Sequence, residues 1–161
     1  LTERKPNPVA IDDGVFLGRA VERLSVLIAD QTKMVFDSMG VVIPVRSCSL
    51  MIVLAKLGKA SASDLARELG HSHQLVMQKI PKLVSLALLD HQIDNNDARR
   101  KIFYLTDEGV AQLAKFEKCT ALIRNAYDDL FAEVGDVRQC IDRTVDALSQ
   151  RPLDERIHSL D

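Results

Sequence analysis

The sequence predicts a mainly α-helical protein with one small β-hairpin, and three observations predict it. Apolar residues recur at helical spacing over much of the 161-residue chain. Two short helical segments, 62–69 and 73–87, are joined at Gly70, and each follows a serine that can cap it, Ser61 and Ser72. Two short strands, 88–93 and 101–105, then flank a polar loop containing Asn96-Asp97-Ala98-Arg99-Arg100. A helix pair that flows into a charged hairpin is a winged helix-turn-helix. Here it is flanked by N- and C-terminal helices.

The elements follow in order. Residues 1–13, with Pro6 and Pro8, read as an extended arm. A long helix fits 14–39, with Leu17, Val21, Leu24, Ile28 and Val35 on one stripe and Phe16, Ala20, Leu27 and Met34 on a second beside it. Two adjacent stripes imply burial over a wide arc. Gly40 ends this helix and Pro44 blocks its continuation. Residues 46–57 form a very apolar second helix, closed by Gly58. Ser61 and Asp64 have the spacing of a reciprocal cap on the third helix. Thr106 caps a fifth helix, with Asp107 and Glu108 in its first turn, where the helix dipole favours acids. That helix runs to about residue 131, roughly 37 Å. Gly135 breaks it, and a sixth helix carries Val137, Ile141, Val145 and Leu148 on one face until Pro152.

Composition bounds the function. The chain is 47% hydrophobic and 4% aromatic, with no Trp, and its 21 basic and 23 acidic residues leave a net charge of −2. There is no overall basic signature, but residues 59–101 carry seven basic side chains against five acidic ones. No apolar run reaches membrane-spanning length, and residues 1–13 do not resemble a secretory leader. Three widely spaced cysteines, Cys48, Cys119 and Cys140, fit reduced thiols. These features predict a cytoplasmic protein with no membrane association.

The fourth helix would turn Val76, Ile80 and Leu83 inward and Gln74, Gln78, Pro81 and Ser85 outward, with Met77 and Lys82 to either side. The outward side chains suit a major groove, because glutamine can pair bidentately with adenine and lysine can meet a phosphate. Arg99 at the hairpin tip suits a narrow, electronegative minor groove, and Asp97 could brace its guanidinium. The plain alternative is a packed helical corner followed by a solvated loop. Either feature alone fits that alternative; together they favour duplex DNA.

These residues carry a resemblance. Leu65-Ala66-Arg67-Glu68-Leu69-Gly70, Ser72, the spacing Asp97-x-Arg99 and Leu105-Thr106-Asp107-Glu108-Gly109 resemble the MarR family of bacterial winged-helix transcription regulators. The match covers about 50 residues, and the helical order extends it over nearly the whole chain. It implies a homodimer with interlocked N- and C-terminal helices, a pseudo-palindromic double-stranded DNA operator, and, as is often so in the family, release by a small-molecule effector or an oxidant. The division that follows is 1–45, an arm and dimerisation helix; 46–106, the DNA-binding domain; and 107–161, C-terminal dimerisation helices. The expected DNA-binding residues are Ser72, His73, Gln74, Met77, Gln78, Lys82, Asp97, Arg99, Arg100 and Lys101.

The chain departs from the family pattern at three places. Pro81 inside the recognition helix predicts a kink that leaves 73–80 as the reading segment. Ala87 stands where glycine is usual before the wing, which predicts a differently built turn. Ala98 replaces a common arginine, so the wing leans on Arg99, with Arg100 and Lys101 as phosphate contacts.

A homodimer also follows without the resemblance, since the first, fifth and sixth helices offer more apolar surface than one small core can cover. The alternative is that the sixth helix folds back on the fifth. His71, His73, His91 and His158 do not form a metal-ligand set, and no cofactor is expected. Cys48 reads as a small core residue, whereas Cys119 and Cys140 could meet across a dimer. Arg46 and Met51 lie where an effector cleft would be, but no ligand residue is assigned. Catalysis is not expected: Asp128 and Asp129 are consecutive on a helix and diverge, and no glycine-rich phosphate loop is present. The expected function is a DNA-binding transcription regulator, a repressor acting as a homodimer. The rival reading is a winged helix that binds another protein, as an antagonist of a related repressor, and not DNA.

Overall fold

The computed structural model describes residues 10, 13–95 and 97–159; apart from Ala10 and Asp13, the arm expected at 1–13 lies outside them. The chain divides into two compact units, 1–119 and 120–161.

In the first unit, a 3-10 turn at Gly14–Phe16 is capped by the Asp13 carboxylate, which accepts from the Val15 N–H at 2.9 Å. It leads into α1, Leu17–Met39, which ends at the left-handed Gly40. A second 3-10 turn, Val45–Ser47, opens α2, Cys48–Leu57. Then come β1 (Lys59–Ser61), α3 (Ala62–Leu69), α4 (His73–Ser85), β2 (Leu89–Ile93) and β3 (Lys101–Leu105). The strands form one antiparallel sheet in the order β1-β3-β2, with Ser61 opposite Ile102 and His91 opposite Phe103. The last helix to begin in this unit is α5, Asp107–Val134, about 42 Å at the usual rise.

The foreseen caps are present. Ser61 and Asp64 form the full capping box on α3, and Gly70 takes a positive φ of 62° at the turn into α4. The Ser72 hydroxyl accepts from the Leu75 N–H at 3.2 Å to open α4. Two elements had not been foreseen. Strand β1 is three residues long, too short for any period-2 pattern. Helix α7 begins after Pro152, which ends one helix and also fits the start of the next. Helix α4 runs on through Pro81 and ends at Ser85, short of the expected 87.

The core of this unit is built from Leu50, Met51 and Leu54 on α2, Leu65 on α3, Val76 and Leu83 on α4, and Leu88, Leu89 and Phe103 at the sheet. Each such buried leucine stabilises the fold by about 2 kcal/mol. Helix α1 contributes little to this core. Phe36 is buried and meets Phe116 edge-on at 5.7 Å, but Leu17, Val21, Leu27 and Met34 are exposed, so among the described residues of this unit the wide arc of burial read from its stripes is not met. Gln112 is buried and ties down the segment after α1: its Oε1 accepts from the Val42 N–H at 2.9 Å and its Nε2 donates to Glu108 at 3.0 Å.

The turn from α4 to β2 is clamped on the start of α5. The Leu88 carbonyl accepts from the Thr106 N–H at 3.1 Å, the Thr106 hydroxyl donates to the Ala87 carbonyl, and it accepts from the Gly109 N–H at 3.0 Å. At this clamp Ala87 has a φ of 55°, the one positive φ at a non-glycine residue among those described. A side chain is disfavoured there by about 1 kcal/mol. Ala87→Gly should therefore raise unfolding stability by up to about 1 kcal/mol, net of the added freedom of the unfolded chain. A urea midpoint that stays put or falls would contradict the strain.

The second unit holds the end of α5, then α6 (Val137–Gln150) and α7 (Leu153–His158). Asp136 caps α6 by accepting from the Gln139 N–H at 2.8 Å. Arg156 reaches back to the C-terminal end of α6, donating to the carbonyls of Ala147 (2.7 Å) and Arg151 (2.9 Å), where a cation also complements the helix dipole. No described residue of this unit is fully buried. The α6 stripe is exposed, Ile141 at 39%, Val145 at 56% and Leu148 at 38%, so α6 does not satisfy itself by folding back on α5.

Candidate nucleic-acid interface

The inward face of α4 is Val76, Ile80 and Leu83, all buried, which fixes the rotation of the helix. Its other side is presented to solvent: His73, Gln74, Met77, Gln78, Pro81, Lys82 and Ser85 are all exposed. Ser72 is exposed too, but its hydroxyl serves as the helix cap. Pro81 supplies no N–H to the Met77 carbonyl, so that acceptor lies free of its usual helical partner. Lys79 sits at the edge of this face. Burial, and then the like charge of Arg46, push its pKa down.

The wing is the loop between β2 and β3. It is closed by backbone bonds, Asp94 N–H to the Arg100 carbonyl and Arg100 N–H to the Asp97 carbonyl, both 2.9 Å. The Asp97 carboxylate accepts from the backbone N–H of Arg99 at 2.9 Å. This corrects the expected brace: Asp97 holds the Arg99 backbone in an Asx-type turn and makes no salt bridge with its guanidinium. Arg99 and Lys101 are exposed. At the base of the wing, Lys59 donates to Gln92 at 3.1 Å and lies over the Tyr104 ring at 5.6 Å.

Arg100, expected at a phosphate, has partners inside the chain. Its Nη2 donates to Asp64 Oδ2 at 2.7 Å and to the Ser61 hydroxyl at 3.2 Å, and its Nη1 lies 3.7 Å from Asp94 Oδ2. Asp64 also pairs with Arg67 at 2.9 Å. The Ser61 hydroxyl and N–H, followed by Arg67 and Arg100, hold the Asp64 carboxyl well below the usual carboxylate range. The depressed value means that this network is fully charged above the ordinary Asp value of 3.8, and its stabilisation is lost only as pH falls through the lower folded value.

The remaining candidates are placed as follows. Met51 is fully buried in the core and does not line an open cleft, while Arg46 is exposed. Cys48 is a core residue as expected, its thiol pushed up to about 12 by burial. Cys119 is buried against Met39 and Cys140 is exposed. His71 is half-buried, more enclosed than its sequence context indicates, with an Nδ1 that finds no hydrogen-bond partner among the described residues. Among the described residues no group of three or more His, Cys, Asp or Glu could hold a metal, and no helix is long and apolar enough to cross a membrane.

No model of a protein family matches the chain, and no curated protein matches it. Solved structures do. PcaV, a transcriptional regulator from Streptomyces coelicolor solved with its natural ligand, superposes with a TM-score of 0.64 at 16% identity, covering 89% of this chain and 98% of its own. AbsC, a MarR family regulator from the same organism, gives 0.60 at 18% identity over 95% and 99%. The S. aureus MepR–DNA complex gives 0.61 at 21% identity over 86% and 98%. At such identities the likeness is one of architecture. The chain has the winged-helix fold of the MarR family of transcription regulators.

Proposed function

We propose that this chain is a DNA-binding transcription regulator, a repressor, that works as a homodimer on a pseudo-palindromic operator and is released by a small ligand. The observation that carries the reading is the exposed face of α4, with Gln74 and Gln78, on the same winged helix as a hairpin that presents Arg99 in its loop and Lys101 at the start of β3. Such a pair suits base edges in a major groove and the walls of an adjacent minor groove. The MepR complex with DNA and the PcaV complex with its ligand support extending both kinds of partner to this chain.

The dimer is supported by apolar surface that each unit leaves uncovered: Leu17, Leu27 and Met34 in the first, Val145, Leu153 and Ile157 in the second. Patches of this kind are what a second copy would bury. Twofold symmetry would also present two recognition helices about 34 Å apart, one turn of DNA. No catalytic step belongs to this reading, and it places the protein in the cytoplasm.

A gel shift on the DNA upstream of the protein's own gene tests the first half. A retarded complex at low salt that dissolves as salt rises is the expected result. If no salt-dependent complex forms, the rival reading of a protein-binding winged helix takes its place. Light scattering tests the second half: a mass of twice 17.9 kDa is expected, and a clean single-chain species at micromolar concentration would rule the dimer out.

A further inference from the structure

We propose that Arg100 and Asp64 form a strut that positions the wing against the helix-turn-helix, so that Arg100 orders the DNA-facing loop and does not itself contact phosphate. The proposal rests on the DNA-binding reading for its consequence, and on contacts within the chain for its substance.

The two residues are 36 positions apart, brought together because β1 pairs with β3 and Ser61 lies opposite Ile102. The Asp64 carboxylate is already fixed before Arg100 arrives: Oδ2 accepts from the Ser61 N–H at 3.1 Å and from the Ser61 hydroxyl at 2.6 Å, while Oδ1 accepts from Arg67 at 2.9 Å. Arg100 then adds its own bond to Oδ2 at 2.7 Å and a second to the Ser61 hydroxyl at 3.2 Å. One guanidinium thus touches the wing-side carboxylate of Asp94 and the cap of α3. A planar fork can span these groups; a lysine ammonium, a point charge, cannot.

The side chain of Arg100 is 46% exposed and that of Asp64 26%. A pair this open to water adds little to global stability. Its effect is on order. The Arg100 backbone closes the wing through bonds to Asp94 and Asp97, and its side chain anchors the closed loop to α3. Its neighbour Arg99 therefore leaves an ordered backbone, and less ordering remains to be done when DNA binds. The charge of Arg100 is meanwhile committed inside the protein, which leaves Arg99 and Lys101 as the cations the wing offers to DNA.

The test compares Arg100→Gln, Arg100→Lys, Asp64→Asn and the Arg100→Gln/Asp64→Asn double variant. DNA affinity is measured across a salt series, and amide exchange at residues 97–101 is measured in the free protein. A strut predicts that both single Arg100 variants and Asp64→Asn weaken binding alike, about tenfold. It predicts that the double variant is no weaker than either of its singles, and that the salt dependence keeps its slope. It also predicts faster exchange in the wing of each variant. A phosphate contact predicts the opposite: Arg100→Lys restores affinity, Asp64→Asn is neutral, and Arg100→Gln lowers the slope of log K against log salt by about 0.9. Either restoration by lysine or a neutral Asp64→Asn overturns the proposal. If the unaltered protein binds no DNA, the DNA-binding reading fails on its own account and exchange decides the strut, with unchanged wing protection overturning it.

Discussion

Gly109→Ala is expected to destabilise the protein by about 3 kcal/mol or more, although by helix propensity alone the same exchange would stabilise α5 by nearly 1 kcal/mol. The reversal comes from one contact. A Cβ on Gly109 would lie 2.1 Å from the Leu88 carbonyl oxygen and 3.1 Å from its carbon. Both are main-chain atoms, so no rotamer change relieves the overlap. The Leu88 carbonyl cannot withdraw without cost either, since it accepts from the Thr106 N–H, and the Leu88 N–H donates to the Leu83 carbonyl at 3.0 Å. Separating the two backbones by the ångström or more required would break the Thr106 clamp and tilt β2 away from the end of α4. Urea unfolding followed by circular dichroism, at matched protein concentration, reads the change. A midpoint equal to or above that of the unaltered protein would show that the contact is looser than the structure has it.

That contact also explains why Leu105-Thr106-Asp107-Glu108-Gly109 is so informative as a motif. Thr106 caps α5 and fastens the preceding turn, and Gly109 clears the path for the Leu88 carbonyl. Each needs a particular residue type at a fixed local spacing, and local chemistry of this kind is legible in a sequence. The same holds for Ser61 with Asp64, Ser72, and the glycines at 40, 58 and 70, which set helix limits nearly to the residue. The inward triad of α4 was legible because Val76, Ile80 and Leu83 repeat at the helical period.

What escaped was decided at long range. Three residues at β1 carry no period, and without β1 nothing indicates that Ser61 and Asp64 approach the wing. Arg100 then looks like one of three equivalent cations, when the sheet register gives it partners of its own. Asp97 was assigned the wrong atom of the right residue, because an Asp two positions before another residue can as readily accept that residue's N–H as meet its side chain. The stripes of α1 state that the helix has apolar faces to bury; they do not state against what.

Arg99→Ala is expected to lower DNA affinity ten- to a hundred-fold, the equivalent of roughly 1–3 kcal/mol, while leaving the fold intact. Stability should hold because the guanidinium makes no salt bridge among the described residues, so its removal leaves no buried group unpaired. The loop that carries it should hold as well. The Arg99 N–H bonds to Asp97, the Arg100 N–H to the Asp97 carbonyl, and neither bond involves the side chain that is lost. The whole effect must then come from the interface, where a narrow minor groove concentrates negative potential and rewards an arginine above other cations. Fluorescence anisotropy on operator and scrambled duplexes separates the contributions. Loss of Arg99 should cost more on duplexes with A·T-rich flanks, where that groove is narrowest, whereas Gln78→Ala should erode the preference for operator over scrambled sequence. An Arg99→Ala protein that melts normally and binds DNA as tightly as the unaltered one would take the wing out of the mechanism and leave α4 to bind alone.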